Sequence, residues 1–159
     1  MLRMSRRGWI VFSSIFVVVG LVIMGFGFNY LSRASESESW PSVEGVVISS
    51  EVVTHRHDDG DRSYSPEILY DYVVNGETLS GNWINFGDGS GDGSTSLSAP
   101  ARRYVNKYRA GKTVKVYYNV EDPSEAVLEP GVDLSTWTFP LLGAFIALLG
   151  IFFVLYLFF

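Results

Sequence analysis

The sequence predicts a membrane protein in which two transmembrane α-helices flank a small mainly-β (α+β) domain. Three observations carry this expectation. Two uncharged apolar stretches, Trp9–Phe28 and Trp137–Phe159, stand near the two ends; all 17 acidic residues lie between them; and the intervening segment alternates valine-rich runs with turn signals. A hydrocarbon core about 30 Å thick takes roughly 20 helical residues to cross, and each stretch is long enough. The expected order is a basic N-terminal segment (1–8), a first span (9–31), a polar tether (32–39), a β-rich domain (40–131), a linker (132–136) and a second span (137–159).

Charge sets the expected orientation. Arg3, Arg6 and Arg7 precede the first span, Arg33 alone follows it, and the second span has no basic flank. Only basic residues within about 15–20 positions of a helix end count, so this excess favours a cytoplasmic N-terminus and an extracytoplasmic domain. The alternative for the first span is a signal peptide cleaved at Ser32-Arg33-Ala34, but its apolar region exceeds the usual roughly 7–15 residues. Ser13, Gly20 and Gly27 recur every seven residues, and so do Gly143 and Gly150, with Ala147 between them. Small residues on one face let helices approach closely. Such a face serves either dimerisation or packing of the chain's own two spans, and a short hairpin favours the second.

Between the spans, Ser35–Ser39 is too poor in apolar residues to fold and reads as a tether. Trp40-Pro41 opens the domain. Val43–Thr54 places Val46, Ile48 and Val52 on one face and Val47 and Val53 on the other, which suits a strand covered on much of both sides. Asn75-Gly76 is the pair that a two-residue type I′ turn requires. With that turn, Val74 faces Glu77, Tyr72 faces Leu79, Tyr70 covers Gly81 and Ile68 faces Trp83, all on a largely apolar face. Asp71/Ser80 and Leu69/Asn82 take the polar one. Ser98 caps a helix with Pro100 in its first turn, and Ala101, Tyr104, Val105 and Tyr108 form its buried face until Gly111 stops it. Lys112–Val120 alternates as a strand, Asp122-Pro123-Ser124 turns, Ala126–Leu128 adds a short strand, and Pro130-Gly131 breaks out. Four or five antiparallel strands and one helix make a twisted sheet or a partly closed barrel.

Trp40-Pro41-x-Val43-Glu44-Gly45-x-Val47, Pro66 followed by Tyr70-x-Tyr72-x-Val74-x-Gly76, and Gly111-x-x-Val114-x-Val116-Tyr117-Tyr118 together resemble the domain-of-unknown-function family 3592. Asp122-Pro123 with Ala126–Gly131 completes the resemblance, which spans about Trp40–Gly131. It implies a β-rich domain beside one or two membrane spans and no assigned activity. Trp40, Tyr70, Gly76, Gly81, Gly111 and Pro123 stand out as structural positions. The insert around Gly87–Gly93 lies outside the pattern.

Composition excludes several functions. Nine of the 12 basic residues share 32–136 with all 17 acidic ones, a net charge of −8, which argues against nucleic acid as a partner. The chain has no cysteine, so disulfides, thiol catalysis and cysteine-ligated metals are ruled out. Asp88-Gly89-Ser90-Gly91-Asp92-Gly93 matches the first half of a calcium loop, with Asp88, Ser90 and Asp92 as ligands. Position twelve is Ala99 where a bidentate glutamate belongs, so a flexible loop is the better reading. His55 and His57 could share a metal with Asp59 or Asp61, but Arg56 and Arg62 oppose a cation. Arg102, Arg103, Lys107, Arg109 and Lys112 form a basic helix face, suited to the helix dipole or to an acidic partner or anionic lipid. No nucleophile elbow, phosphate loop or dinucleotide fingerprint occurs, and neither an enzyme nor a cofactor is expected. The expectation is a membrane-anchored extracytoplasmic interaction module. Its partners would be the bilayer and another membrane protein or a second copy, with Arg102, Arg103 and Lys107 as contacts. The alternative is a cation-responsive domain using the Asp88–Asp92 or His55–Asp61 loop.

Overall fold

The computed structural model describes residues 6–58, 60–87 and 98–158. The chain divides into two compact units, Met1–Ser32 with Leu134–Phe159 and Arg33–Asp133. Helix α1 spans Arg6–Ser37; strands β1 (Ser42–Arg56), β2 (Arg62–Val74) and β3 (Glu77–Gly81) follow. Then come α2 (Ser98–Lys107), β4 (Thr113–Tyr118), β5 (Ala126–Val127), a 3-10 turn (Ser135–Trp137) and α3 (Thr138–Phe158).

In the first unit, α1 and α3 are both long and apolar enough to cross a membrane. They pack through the small residues seen in the sequence. A Cβ on Gly20 would lie 2.5 Å from the Ala147 nitrogen, and one on Gly143 would lie 2.5 Å from that of Met24. Gly27 meets Pro140, and Gly150 meets Ser13 and Val17. The seven-residue spacing therefore serves the chain's own helix pair, as the short hairpin favoured.

The second unit is built on an open five-stranded antiparallel sheet of order β3-β2-β1-β4-β5. Asn75 (φ 54°) and Gly76 (φ 86°) form the expected hairpin turn. The pairs Val74/Glu77, Tyr72/Leu79, Tyr70/Gly81 and Asp71/Ser80 are those the turn specifies. β3 ends at Gly81, so Ile68/Trp83 and Leu69/Asn82 do not pair. The cause is local: the Tyr70 ring covers Gly81, its hydroxyl reaches the Trp83 carbonyl at 2.9 Å, and the chain turns away there.

One sheet face is buried. Val47, Ile68, Tyr70, Tyr72, Val74, Val114 and Val116 form the core with Ile84, Tyr108, Ala126 and Leu128. Val46 and Ile48 are 43% and 50% exposed, so β1 is covered on one face only, against the sequence expectation. Dense valine reflects β propensity here rather than two-sided burial. The register shifts between Val47 and Ser49, leaving Ile48 as a bulge. Beside it, Gly111 (φ 81°) donates its N–H to the Val47 carbonyl at 2.8 Å and closes the turn after α2.

The sheet remains open, yet the segments beyond its edge strands meet. The Ile84 carbonyl, after β3, accepts from the N–H groups of Leu128 and Glu129, after β5, at 3.1 and 2.7 Å. Tyr70 reinforces this closure, with its hydroxyl also 2.9 Å from the Ala126 carbonyl. Burial pushes the Tyr70 hydroxyl pKa far above its ordinary range, a shift enlarged by neighbouring Tyr72 and opposed by the bond to Trp83. Tyr72 donates to the Pro123 carbonyl at 2.7 Å, tying β2 to the turn before β5.

The tether expected at 32–39 is corrected: α1 continues to Ser37, and its last turn belongs to the second unit. Composition there is polar, but Ala34 and Ser37, three apart on one helix face, are both fully buried. Ala34 packs with Phe86 and Val127, beside half-buried Trp40, Trp83 and Tyr117. Ser37 donates to the Ala34 carbonyl at 2.7 Å and accepts from the Gly131 N–H at 2.9 Å, while Arg33 forms an ion pair with Glu125. Tertiary contacts thus order a segment that propensity alone leaves undecided.

Candidate functional site

Helix α2 presents the main cationic surface of the domain. It starts at Ser98, and Ala101 is buried against the sheet with Tyr104 and Val105 half-buried, which leaves Arg102 and Arg103 exposed on the outer side. Among the described residues no carboxylate pairs with either guanidinium. Lys107 differs. Its Nζ lies 2.7 Å from Glu129 Oε1, which also accepts from the Tyr108 hydroxyl at 2.7 Å. Burial first, and then the bonded Glu129 carboxylate, push the Tyr108 pKa well above its usual range. Lys112 donates to the Lys107 carbonyl at 2.8 Å and caps the end of the helix. The Lys107 and Lys112 ammonium groups stand 5.2 and 5.9 Å from the Tyr108 ring centre.

The five-residue basic face therefore splits by chemistry. Lys107 and Lys112 serve the helix end, while Arg102, Arg103 and Arg109 are exposed and have no carboxylate partner among the described residues. Glu129 is the residue that sequence spacing missed: it arrives from the segment after β5, and no local pattern announces its reach to α2.

The second polar group lies near the end of the β1–β2 ribbon, where the His57 N–H bonds to the Asp61 carbonyl at 2.9 Å. His55 Nε2 and Ser65 Oγ lie 2.8 Å apart, and His57 Nε2 and Ser63 Oγ lie 3.0 Å apart. A serine bonded to a histidine is the start of a nucleophilic pair. Here Ser65 is 1% exposed, which shuts its hydroxyl away from an outside substrate. These are diagonal cross-strand contacts, legible once Arg56 is placed opposite Arg62 but invisible without the register. Among the described residues no group of three or more metal-ligating side chains converges. Asp59 and the proposed ligands Asp88, Ser90 and Asp92 lie outside the described residues.

The structural positions named in the sequence lie in and around the sheet. Trp40 stacks edge-on to Phe86 at 5.8 Å, Gly76 and Gly111 hold positive φ, Gly81 lies under Tyr70, and the Pro123 carbonyl anchors Tyr72.

A strand order with one helix inserted between β3 and β4, bounded by the α1 end and Asp133, now defines the domain. The profile of a family described as "Domain of unknown function (DUF3592)" matches residues 43–133, more than half of the chain. The chain belongs to this family. The match takes in all but the first residue of β1, the rest of the sheet and α2, and it ends where the compact unit ends, at Asp133. It leaves out the last turn of α1, whose Ala34 and Ser37 are buried within the same unit. No curated protein matches the chain.

Proposed function

We infer that this DUF3592 chain is a non-catalytic, membrane-anchored interaction module with its domain on the extracytoplasmic side, contacting an anionic partner through α2. The observation that carries the reading is the pair Arg102 and Arg103: both are exposed, neither is paired with a carboxylate among the described residues, and both stand out in a domain of net negative charge. An unpaired cationic pair within an acidic surface focuses the local potential and attracts an anion more strongly at low salt. Lys107, held by Glu129, contributes charge but little reach. The orientation rests on three arginines before the first span against Arg33 after it.

The test uses the intact chain in its native membrane. A photo-crosslinking residue replacing exposed Asn106 should capture a neighbour, and Arg102→Gln with Arg103→Gln should reduce the yield several-fold, as should raised salt. A yield indifferent to both changes refutes the contact. Orientation is read separately. A cysteine replacing exposed Ser39 should react with an impermeant maleimide in intact cells, and one replacing Ser5 should not; the reverse pattern overturns the topology.

A further inference from the structure

The two edges of the sheet are unequal. β5 has two residues, sits between Pro123 and Pro130, and offers almost nothing to a passing strand. β3 has five residues, Glu77-Thr78-Leu79-Ser80-Gly81, with no proline, no lysine or arginine and no bulge. Proteins ordinarily blunt an edge with those devices, and an edge lacking them is a template for another strand.

The phase of the hairpin tells which groups are free. In a two-residue turn the flanking residues form a hydrogen-bonded pair, here Val74 and Glu77, and the pattern then alternates. Glu77, Leu79 and Gly81 direct their backbone groups at β2, and Thr78 and Ser80 direct theirs outward. Among the described residues no backbone group outside the hairpin bonds to Glu77–Gly81.

We propose that the β3 edge joins a second copy of this chain, β3 pairing antiparallel with β3 about a two-fold axis centred on Leu79. In that register Thr78 faces the other copy's Ser80 as a hydrogen-bonded pair on each side of the axis, satisfying all four outward groups. Leu79 faces Leu79 as a closely spaced non-hydrogen-bonded pair, and Glu77 faces Gly81, so no like charges meet. Leu79 already packs against the core, and its counterpart would continue the same apolar layer. Shifting the centre to Thr78 or Ser80 places Leu79 opposite Glu77 or Gly81 and loses the apolar pair. A self-complementary strand is what an isologous interface requires, and this commits the site to a second copy rather than to an unrelated strand.

The absence of cysteine makes the test clean. Leu79→Cys in the full chain, oxidised in native membranes, should give a disulfide dimer, because a non-hydrogen-bonded pair sits about 4.5 Å apart at Cα, within disulfide range. Thr78→Cys alone and Ser80→Cys alone should stay monomeric, their like residues being diagonal at roughly 7–8 Å. Differently tagged Thr78→Cys and Ser80→Cys chains expressed together should crosslink to each other. These two positions are exposed, so they remain informative if Leu79→Cys perturbs the core. Thr78→Pro removes an outward N–H without touching the β2 ladder and should abolish the Leu79→Cys dimer. The proposal is overturned if neither Leu79→Cys nor the mixed pair crosslinks, if all positions crosslink alike, or if the captured species is a different protein.

Discussion

Replacing Gly81 with alanine probes the contact on which the sheet's closure depends. A Cβ at this position would lie 2.6 Å from Tyr70 Cε2 and 2.7 Å from both its Cζ and its hydroxyl. Relief to ordinary contact needs the ring or the strand to move by about 1 Å. The ring has nowhere to go: Tyr70 is fully buried, with its hydroxyl 2.9 Å from the carbonyls of Trp83 and Ala126. Overpacking of a core costs about 1–3 kcal/mol, and a displaced hydroxyl forfeits about another 1 kcal/mol. The expected loss is therefore about 2–4 kcal/mol, a fall in melting temperature of more than about 8 °C for a domain of this size. Thermal unfolding of the detergent-solubilised protein followed by near-ultraviolet circular dichroism measures it. Tyr70→Leu removes the ring that the new methyl strikes, so the double variant should lose at least about 1 kcal/mol less than the two single losses combined. A Gly81→Ala protein as stable as the parent, or strict additivity in the cycle, would refute the account of Tyr70 as the fixed cover of this glycine.

Three further outcomes follow from the same structure. Gly76→Val forces a β-branched residue to adopt φ near 86° and should cost about 1–3 kcal/mol in urea titration; an unmoved midpoint would mean the turn tolerates the strain. Ser37→Ala strips the Gly131 N–H of its acceptor and should destabilise the domain by about 1–3 kcal/mol, whereas a free tether at 32–39 would make it silent. Tyr70 and Tyr108 have pKa values raised above the ordinary 10.0, chiefly by burial, so the folded state favours their protonated forms. Their contribution is complete below pH about 10 and is lost as the pH climbs above it, so denaturant midpoints should fall only in that alkaline range. Tyr70→Phe should flatten the fall, and an unchanged slope would show that other groups cause it.

Local signals in the sequence were enough to place every strand and α2. Asn75-Gly76 specified the turn, and the alternation on both sides specified the register, because a slip of one residue would expose Tyr70 and Tyr72. Long-range consequences were not legible. The tether at 32–39 reads as polar by composition, and only Phe86 and Val127, gathered from two distant segments, reveal why Ala34 is buried. The same holds for Val46 and Ile48, whose propensity says strand but whose exposure depends on which face α2 covers.

The candidate site shows the limit most sharply. A helix with Arg102, Arg103, Lys107 and Lys112 looks uniformly basic in one dimension. Glu129, 22 positions away from Lys107, divides it by accepting from both Lys107 and Tyr108. A carboxylate that satisfies a helix-end cation removes that cation from the pool available to a partner, because a second anion would have to compete with a bonded one. Arg102 and Arg103, about a turn earlier, have no carboxylate partner among the described residues. The pairing of a charge, rather than its presence in the sequence, is what shifts the proposed contact from the lysines to the arginines, of which Arg102 and Arg103 lie within α2 itself.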